Sequence, residues 1–526
     1  MEKNQLDKMA SDGLGESKYG VKQLLAAVYV IIILGVFPLI YHDYYFDIMS
    51  FKYTFYYITT LIFIILFLII SIAQGNIKWR LLFDFSKKKM RLSIPEVSLL
   101  AFALIAIIST VQSDFKYEAF WGNEGRYTGC FLLLLYCISL ILVSKSFKMK
   151  RWILTLFLLS GMLVCLFGIT DFFKMDILNF KVKMEPGQYD IFASTIGNVN
   201  SYTSYVALVM AISAVMFSSE KIFWKAFLYY ICMIVSFFAI LMGVSDNAYL
   251  ALGTLFGFLP LYLFKSRFGV RRYVLILTSF TGVIYGMDII NKLFADKVMK
   301  IDGILQTLLG FSKLEYIVLL MVILSGLVYT IGYFTRNKND ELGHIWQIIW
   351  LVFVLSIIAA VVFALYDVNV SKHVERYGGL SAYLQFSDDW GTHRGYNWRI
   401  GVENYSRLSA IHKIFGYGPD TYGILTHFNN YTDMVMKYGE VYDSAHNEYL
   451  QYFITMGPLS LLSYMVFIIS SGVRMVKRSK GDICVIAVLF AVVCYAVQAV
   501  VNISVPIVAP IMFILLAIGL AGTRDI

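Results

Sequence analysis

The stretch IWQIIWLVFVLSIIAAVVFALY, residues 345–366, runs for 22 residues without a charged side chain. A helix of about 20 apolar residues crosses the hydrocarbon core of a bilayer, which is roughly 30 Å thick. The apolar run is continuous rather than alternating, and this indicates a helix rather than a strand of a barrel. Residues 345–366 are therefore predicted to span a membrane.

Similar apolar blocks recur along the whole chain, which has 526 residues and is 59% hydrophobic. Soluble domains are roughly 45–50% apolar. The expected fold is all-α, a polytopic bundle of about fourteen transmembrane helices. The predicted spans are 23–41, 53–73, 94–112, 127–144, 152–171, 198–217, 222–242, 247–265, 272–290, 314–334, 345–366, 448–471, 482–501 and 505–523.

Basic residues gather in alternate loops between the predicted spans, and lysine and arginine are enriched in cytoplasmic loops. The second, fourth, eighth and twelfth loops therefore face the cytoplasm, together with both termini, and the chain is expected in the plasma membrane. These basic residues are Lys78, Arg80, Lys87, Lys88, Lys89, Arg91, Lys145, Lys148, Lys150, Arg151, Lys265, Arg267, Arg271, Arg272, Arg474, Lys477, Arg478 and Lys480.

The loop between the eleventh and twelfth spans, residues 367–445, is by far the longest and faces away from the cytoplasm in this topology. The chain accordingly divides into a cytoplasmic tail (1–22), eleven helices (23–366), the loop (367–445), and three final helices with a short cytoplasmic end (446–526). The loop is too aromatic for a disordered linker. Short helices are expected in it, one of them around 396–412, and long ordered loops on a rigid scaffold often carry function.

Several function classes are excluded or disfavoured by what the chain contains. The net charge of +9 lies mostly in loops between spans, so it reports orientation rather than affinity for nucleic acid. No GxxxxGK[ST] phosphate loop and no HExxH motif occurs. The first apolar block has no small-residue cleavage site, which favours a retained span over a signal peptide. All six cysteines lie in apolar blocks without metal-ligand spacing, namely Cys130, Cys137, Cys165, Cys232, Cys484 and Cys494.

One histidine lies where the long loop re-enters the membrane. It is His446, in the stretch DSAHNEYL at residues 443–450. A neutral imidazole accepts a proton near pH 7, so His446 is a candidate general base. The alternative is a structural histidine at a helix start.

Four arginines are candidate binding residues for a phosphate group. Arg394 and Arg399 stand with two tryptophans in the stretch WGTHRGYNWR, residues 390–399, while Arg126 and Arg376 lie in other predicted outward segments. Guanidinium groups bind phosphate bidentately and keep their charge. The alternative is a solvated loop with aromatic anchors at the membrane interface.

Acidic residues leave two further possibilities open. Asp388–Asp389 and the pair Asp43 and Asp47 are able to hold a divalent cation, although two acids in a polar loop are common. Acids within spans are sparse, and Asp171 and Asp288 lie near span ends, which argues mildly against an ion-coupled transporter.

Taken in order, six short segments resemble the O-antigen ligase and O-antigen polymerase superfamily. The resemblance covers residues 119–523. The segments are WGNEGRYTG (121–129), STIGNVN (194–200), RGYNW (394–398), FGYGPD (415–420), HNEYL (446–450) with Gly457, and QAVVNIS (498–504) followed by Ala509–Pro510.

One segment departs from the family pattern. Many relatives carry a Ser-Arg pair in a turn near the middle of the chain, but here the turn contains Ser245–Asp246. If that arginine contacts diphosphate in relatives, another cation must replace it. Arg126, Arg376 and Arg399 are the candidates.

The resemblance implies a membrane glycosyltransferase of the type C class, inverting and without a metal or cofactor. Its donor would be a glycan on a polyprenyl diphosphate such as undecaprenyl diphosphate, and its acceptor another glycan or a cell-envelope group. His446 would act as the base, and Arg394, Arg399, Arg126 and Arg376 would bind the diphosphate. Asn447, Trp398, Asn198 and Asn200 would support the site.

Polymerase and ligase share this fold and these motifs, so both remain open. A flippase for lipid-linked glycans is a rival, but it needs cationic residues inside a central cavity. A non-catalytic assembly partner is a third reading, and it predicts that His446 and Arg394 tolerate substitution.

Overall fold

The computed structural model describes residues 20–74, 92–335 and 340–524. The basic residues of the second loop, Lys78 to Arg91, and most of the predicted N-terminal tail lie outside these ranges, so their predicted positions are not described here.

Helices account for most of the described chain, and one coincides with each predicted span. They are Gly20–Val36, Ile48–Ala73, Ile94–Gln112, Cys130–Ser146, Arg151–Phe172, Val199–Ser219, Phe223–Met242, Ala248–Leu263, Arg267–Leu293, Leu314–Phe334, Ile345–Asn369, Glu448–Arg478, Ile483–Gln498 and Ala509–Gly522. Ten are long and apolar enough to cross a membrane by length and composition, while Gly20–Val36, Cys130–Ser146, Ala248–Leu263 and Ala509–Gly522 are shorter. A multi-pass helical membrane protein is therefore confirmed, and the exact number of spans stays a prediction.

The helices differ sharply in how much of their surface is covered. Val199–Ser219 is buried along its whole apolar stretch and packs against Phe223–Met242 and Ile483–Gln498. Leu314–Phe334 and Ile345–Asn369 leave nearly all of their apolar side chains exposed. So large an exposed apolar surface is unfavourable in water and suits contact with lipid.

The second helix starts five residues before the predicted span. Lys52 lies inside this helix and is fully buried, and its Nζ donates to the carbonyls of Phe37 (3.3 Å) and Pro38 (3.1 Å). These carbonyls follow the end of the first helix, where backbone acceptors have no partner within the helix, and the Pro38 carbonyl also accepts from the Thr195 hydroxyl at 2.7 Å. Lys52, which the predicted span did not include, therefore serves the neighbouring helix end.

The helix Glu448–Arg478 is interrupted at Gly457, which has φ of 79° and ψ of 171° and precedes Pro458. A Cβ at Gly457 would lie 2.1 Å from the carbonyl oxygen of Ile414. Only glycine combines this backbone conformation with such a close approach. The break lets residues 414–418 pack against the helix, with the Gly418 N–H donating to the Thr455 carbonyl at 2.8 Å.

The long loop is folded. Its helical segments are Val374–Leu380, Ser381–Leu384, Trp390–Ser406, Ala410–Phe415 and Tyr422–Tyr438. The helix expected around 396–412 thus ends at Ser406, because a turn follows and Ser409 caps the next helix by accepting from the His412 N–H. Buried aromatic residues, among them Tyr396 and Tyr422, give the loop its own small cores.

Outside the helices, the described chain has one two-stranded antiparallel hairpin, in which Phe192–Ala193 pairs with Gly197–Asn198. All six cysteines are buried and none forms a disulfide, in agreement with their predicted position inside apolar blocks.

Candidate active site

Arg394 begins the regular part of a helix after a strained turn. Gly391, Thr392 and His393 all have left-handed backbone angles, with φ between 58° and 64°. Such angles are costly for residues other than glycine and persist only where the surroundings hold them. Here the Tyr442 hydroxyl lies 2.7 Å from His393 Nδ1. The turn fixes the direction in which the Arg394 side chain leaves the backbone.

The guanidinium of Arg394 is only partly used by the protein. Its Nη1 donates to the Gly391 carbonyl at 2.6 Å, while its buried Nε–H meets no acceptor within the described ranges. No carboxylate there lies within ion-pair distance of it either. Arg394 therefore keeps donors and charge for a ligand.

His446 is held from both sides. The Trp398 indole N–H donates to the Ala445 carbonyl at 2.9 Å, and the Asn447 side chain caps the next helix by accepting from the N–H groups of Tyr449 and Leu450. His446 itself has a left-handed φ of 47°. The two predicted supporting residues, Trp398 and Asn447, thus flank the histidine and fix its backbone.

Arg126 reaches the same place from a distant part of the chain. Its Nε and Nη2 donate to the two carboxylate oxygens of Asp443, both at 2.8 Å. The turn that carries Arg126 is held by Asp420, whose carboxylate accepts from the N–H groups of Asn123 (2.8 Å) and Thr128 (3.1 Å). Two family-like segments, WGNEGRYTG and FGYGPD, are therefore joined directly.

We call Arg126, Arg394, Asp443 and His446 the Arg–His cluster. Burial, followed by the positive charges of Arg126 and Arg394, lowers the pKa of His446 to about 3, against the opposing effect of Asp443. Burial alone would raise the pKa of Asp443, but the charge and hydrogen bonds of Arg126 bring it below its usual value. At neutral pH the imidazole is therefore uncharged.

Asp246, the residue that departs from the family pattern, faces the same cluster. Burial raises its pKa, while the Ile304 N–H, at 3.0 Å, and the charge of Arg394 oppose that rise. Burial in turn lowers the pKa of Arg394, and Asp246 opposes it. The Asp246 carboxylate thus partly balances Arg394 rather than extending the positive charge.

The other two predicted arginines are engaged elsewhere. Arg399 forms a two-pronged pair with Asp388 and a second pair with Glu403, all at 2.8–2.9 Å and on an exposed face. Arg376 contacts Asp367, which also lies 2.7 Å from His373. Of the three candidate replacements for the missing arginine, the structure brings only Arg126 beside His446.

Asn198 and Asn200 belong to a buried amide network. Asn198 caps the helix Val199–Ser219, and the Asn200 side-chain oxygen accepts from Ser245 (2.8 Å) and Asn247 (3.2 Å). Gln498 donates to the Asn247 oxygen at 2.9 Å. The network joins three helix ends and holds the turn that carries Asp246, so these asparagines support the cluster from behind.

Sequence reasoning left two acidic neighbours of His446 without a role. Asp443 is the partner of Arg126, and Glu448 is buried with its carboxylate accepting from the hydroxyls of Tyr464 (2.6 Å) and Tyr495 (3.2 Å). Both stand in the stretch that drew attention to His446. Their closeness to His446 in the sequence could have marked both residues as candidates. Their roles could not be inferred, because their partners lie far along the chain.

Fold and cluster together define a class: a multi-pass helical membrane protein in which Arg394 of the folded loop, Arg126 of a distant turn and His446 come together near helix ends. A family model described as O-antigen ligase matches residues 303–465, a segment that contains the whole loop, Arg394 and His446. This match supports the resemblance to the O-antigen ligase and polymerase superfamily that the motifs indicated. No curated protein matches the chain.

Proposed function

We propose that this chain is a type C membrane glycosyltransferase that takes a glycan from a polyprenyl diphosphate at the outer face of the plasma membrane and passes it to a glycan or cell-envelope acceptor. It would act as a polymerase or a ligase in surface polysaccharide biosynthesis. The observation that carries the proposal is the Arg–His cluster, which sets an uncharged histidine beside two guanidinium groups in a chain that resembles this family.

The proposed reaction uses each member of the cluster. The acceptor oxygen attacks the anomeric carbon from the side opposite the diphosphate, so that the configuration inverts. His446 takes the acceptor proton as the new C–O bond forms. The bond to the diphosphate breaks, and its growing negative charge is stabilised by Arg394 and Arg126. Two fixed guanidinium groups supply positive charge where other transferases use a metal.

Donor binding would also tune the base. The positive charges of Arg126 and Arg394 disfavour protonation of His446 in the free protein. A bound diphosphate brings negative charge to those guanidiniums and offsets their effect, which raises the pKa of the imidazole toward its ordinary range. His446 would therefore become a stronger base only when a donor is in place.

The test uses purified protein in nanodiscs with an undecaprenyl-diphosphate-linked oligosaccharide, and follows both glycan transfer and release of undecaprenyl diphosphate. His446→Ala and His446→Gln should lose transfer about 100- to 10,000-fold, since neither accepts the proton. Both should still bind the donor about as tightly as wild type. His427→Gln, an exposed histidine of the same loop, is the matched control and should stay active.

Other outcomes would refute the assignment. An active His446→Gln protein would make His446 structural. Equal loss of donor binding in His446→Ala and Arg394→Ala would put His446 in the diphosphate site and move the base elsewhere. Donor that crosses the bilayer without cleavage would indicate a flippase instead.

A further inference from the structure

A cavity of about 530 Å³ lies apart from the Arg–His cluster. It opens between the ends of the helices Arg151–Phe172 and Arg267–Leu293 and the short helix Gly303–Leu309. Its polar lining combines three lysines and two side-chain amides with one carboxylate, namely Lys174, Lys292, Lys300, Asn291, Gln306 and Asp288. Amides and ammonium groups together suit a hydrated ligand that carries hydroxyls and negative charge.

The cavity walls are held by backbone contacts. The Met299 N–H donates to the Phe172 carbonyl at 2.8 Å, and this bond brings the segments that carry Lys300 and Lys174 together. The Lys174 N–H donates to the Asp171 carbonyl at 2.9 Å, with a left-handed φ of 55°. These backbone bonds place both lysines along the lining of the same cavity.

Only one of the three ammonium groups is neutralised. Lys292 pairs with Asp288 at 2.6 Å, one turn earlier on the same helix. Lys174 and Lys300 have no carboxylate within ion-pair distance among the residues the structure describes. In the predicted topology these lysines face away from the cytoplasm, so the enrichment of basic residues in cytoplasmic loops does not account for them.

The cavity lies one short helix away from the cluster. Asp246, which faces Arg394, accepts from the Ile304 N–H at the start of the helix Gly303–Leu309. Gln306 and Leu309 of the same helix line the cavity. Seven helical residues extend about 10 Å, so a glycan of a few sugars held at Arg394 is long enough to reach the cavity.

We propose that this cavity binds an acidic sugar residue of the glycan whose reacting end lies at the Arg–His cluster. The proposal rests on the proposed function and adds the substrate class, a glycan that bears carboxylate groups. Lys174 and Lys300 pair with the carboxylate, and Asn291 and Gln306 bond to sugar hydroxyls. The cavity lies one short helix away from the Arg–His cluster, and this position favours the glycan held there over an anionic lipid.

The test is calorimetric titration of the full-length protein, in phosphatidylcholine nanodiscs, with trigalacturonate. Binding should weaken as salt is raised, because ionic strength screens such pairs. The double variant Lys174→Gln/Lys300→Gln should lose affinity about tenfold or more. The matched control, Lys183→Gln/Lys297→Gln, changes two exposed lysines of the same two loops that do not line the cavity, and it should bind like wild type.

The proposal is overturned if wild type fails to bind trigalacturonate, if neutral maltotriose binds equally well, or if both double variants bind alike. Binding of a water-soluble short-chain phosphatidylglycerol to wild type, but not to the Lys174→Gln/Lys300→Gln variant, with an affinity higher than that of trigalacturonate, would make the cavity a lipid site and also overturn the proposal. Titration with undecaprenyl diphosphate tests the diphosphate site of the proposed function separately from the cavity. Its binding should depend on Arg394 and not on these lysines, and its absence would count against the diphosphate site alone.

Discussion

Arg394 and Arg399 are five residues apart on one helix, yet their surroundings differ. Arg399 is exposed and saturated by Asp388 and Glu403, while Arg394 is partly buried and donates to a single carbonyl. A guanidinium that already has two carboxylate partners must give one up before it binds a phosphate. Arg394 and Arg399 look equivalent in the sequence, but they differ in how many N–H donors remain for a ligand.

Replacing Arg394 by lysine should lower transfer on the order of ten- to a hundredfold. Lysine keeps the charge but not the two-pronged geometry that a diphosphate requires. The measurement is the initial rate of glycan transfer at saturating acceptor. Arg407→Lys, an exposed arginine at the end of the same helix, should leave the rate unchanged. A lysine variant as active as wild type would refute bidentate binding by Arg394.

The pH dependence of the reaction should differ between the free protein and the donor complex. With a pKa of about 3, His446 stays deprotonated from pH 7 down to pH 5 in the free protein. Its titration should therefore leave kcat/KM flat over that range, whereas an ordinary histidine would lower it below about pH 6.5. Bound diphosphate raises the pKa, so the acidic fall of kcat should lie at higher pH than that of kcat/KM.

Asp420 needs a control in this experiment, because burial raises its pKa to about 6. Any fall of kcat/KM near that pH should vanish in Asp420→Asn if it belongs to the carboxyl group. A fall near pH 6.5 that persists in Asp420→Asn would contradict the lowered pKa of His446.

Sequence reasoning found Arg394 and His446 because each stands in a short segment of telling composition. It could not find the bond between Arg126 and Asp443, since 317 residues separate them and no local pattern encodes their meeting. The electrostatic interaction between Asp246 and Arg394 likewise results from tertiary packing. For the same reason the sequence left Arg126, Arg376 and Arg399 as equal candidates to replace the missing arginine.

Helix positions were far more predictable than contacts, because an apolar run of the required length has few other structures in a bilayer. The errors lie where a polar residue serves a neighbouring element. The predicted second span left out Lys52, which the structure buries within the helix, where it donates to the carbonyls of Phe37 and Pro38. Gly457 interrupts the helix that follows His446, and its importance also depends on a partner, the carbonyl of Ile414.

Gly457→Ala should destabilise the protein. The backbone conformation alone costs a residue other than glycine about 1–3 kcal/mol, and the close carbonyl adds to it. The melting temperature in detergent should fall relative to wild type. Gly472→Ala on the same helix is the matched control, since its Cβ would meet its nearest neighbour, Leu489, at 3.5 Å. Equal melting temperatures for the two variants would show that the break at Gly457 relaxes without cost.

The arrangement of the molecule in the membrane also remains a prediction. A reporter active only outside the cytoplasm should work when fused after Asn369 or Asn430 and fail after Lys88 or Arg478. Asn430 lies in the loop helix Tyr422–Tyr438, and Arg478 ends the helix that follows the loop. Activity of the fusion at Lys88 would overturn the orientation, and with it the placement of the Arg–His cluster at the outer face.

The burial of all six cysteines makes this protein convenient for spectroscopy. Cys130, Cys137, Cys165, Cys232, Cys484 and Cys494 are covered and carry no disulfide, and a thiol reagent reacts with accessible thiolates. A single cysteine introduced on the loop surface, for example in place of Arg407, should therefore label selectively without removal of the native six. Paired labels of this kind would report, in a lipid bilayer and in real time, whether the loop changes its distance from the helices when a donor arrives.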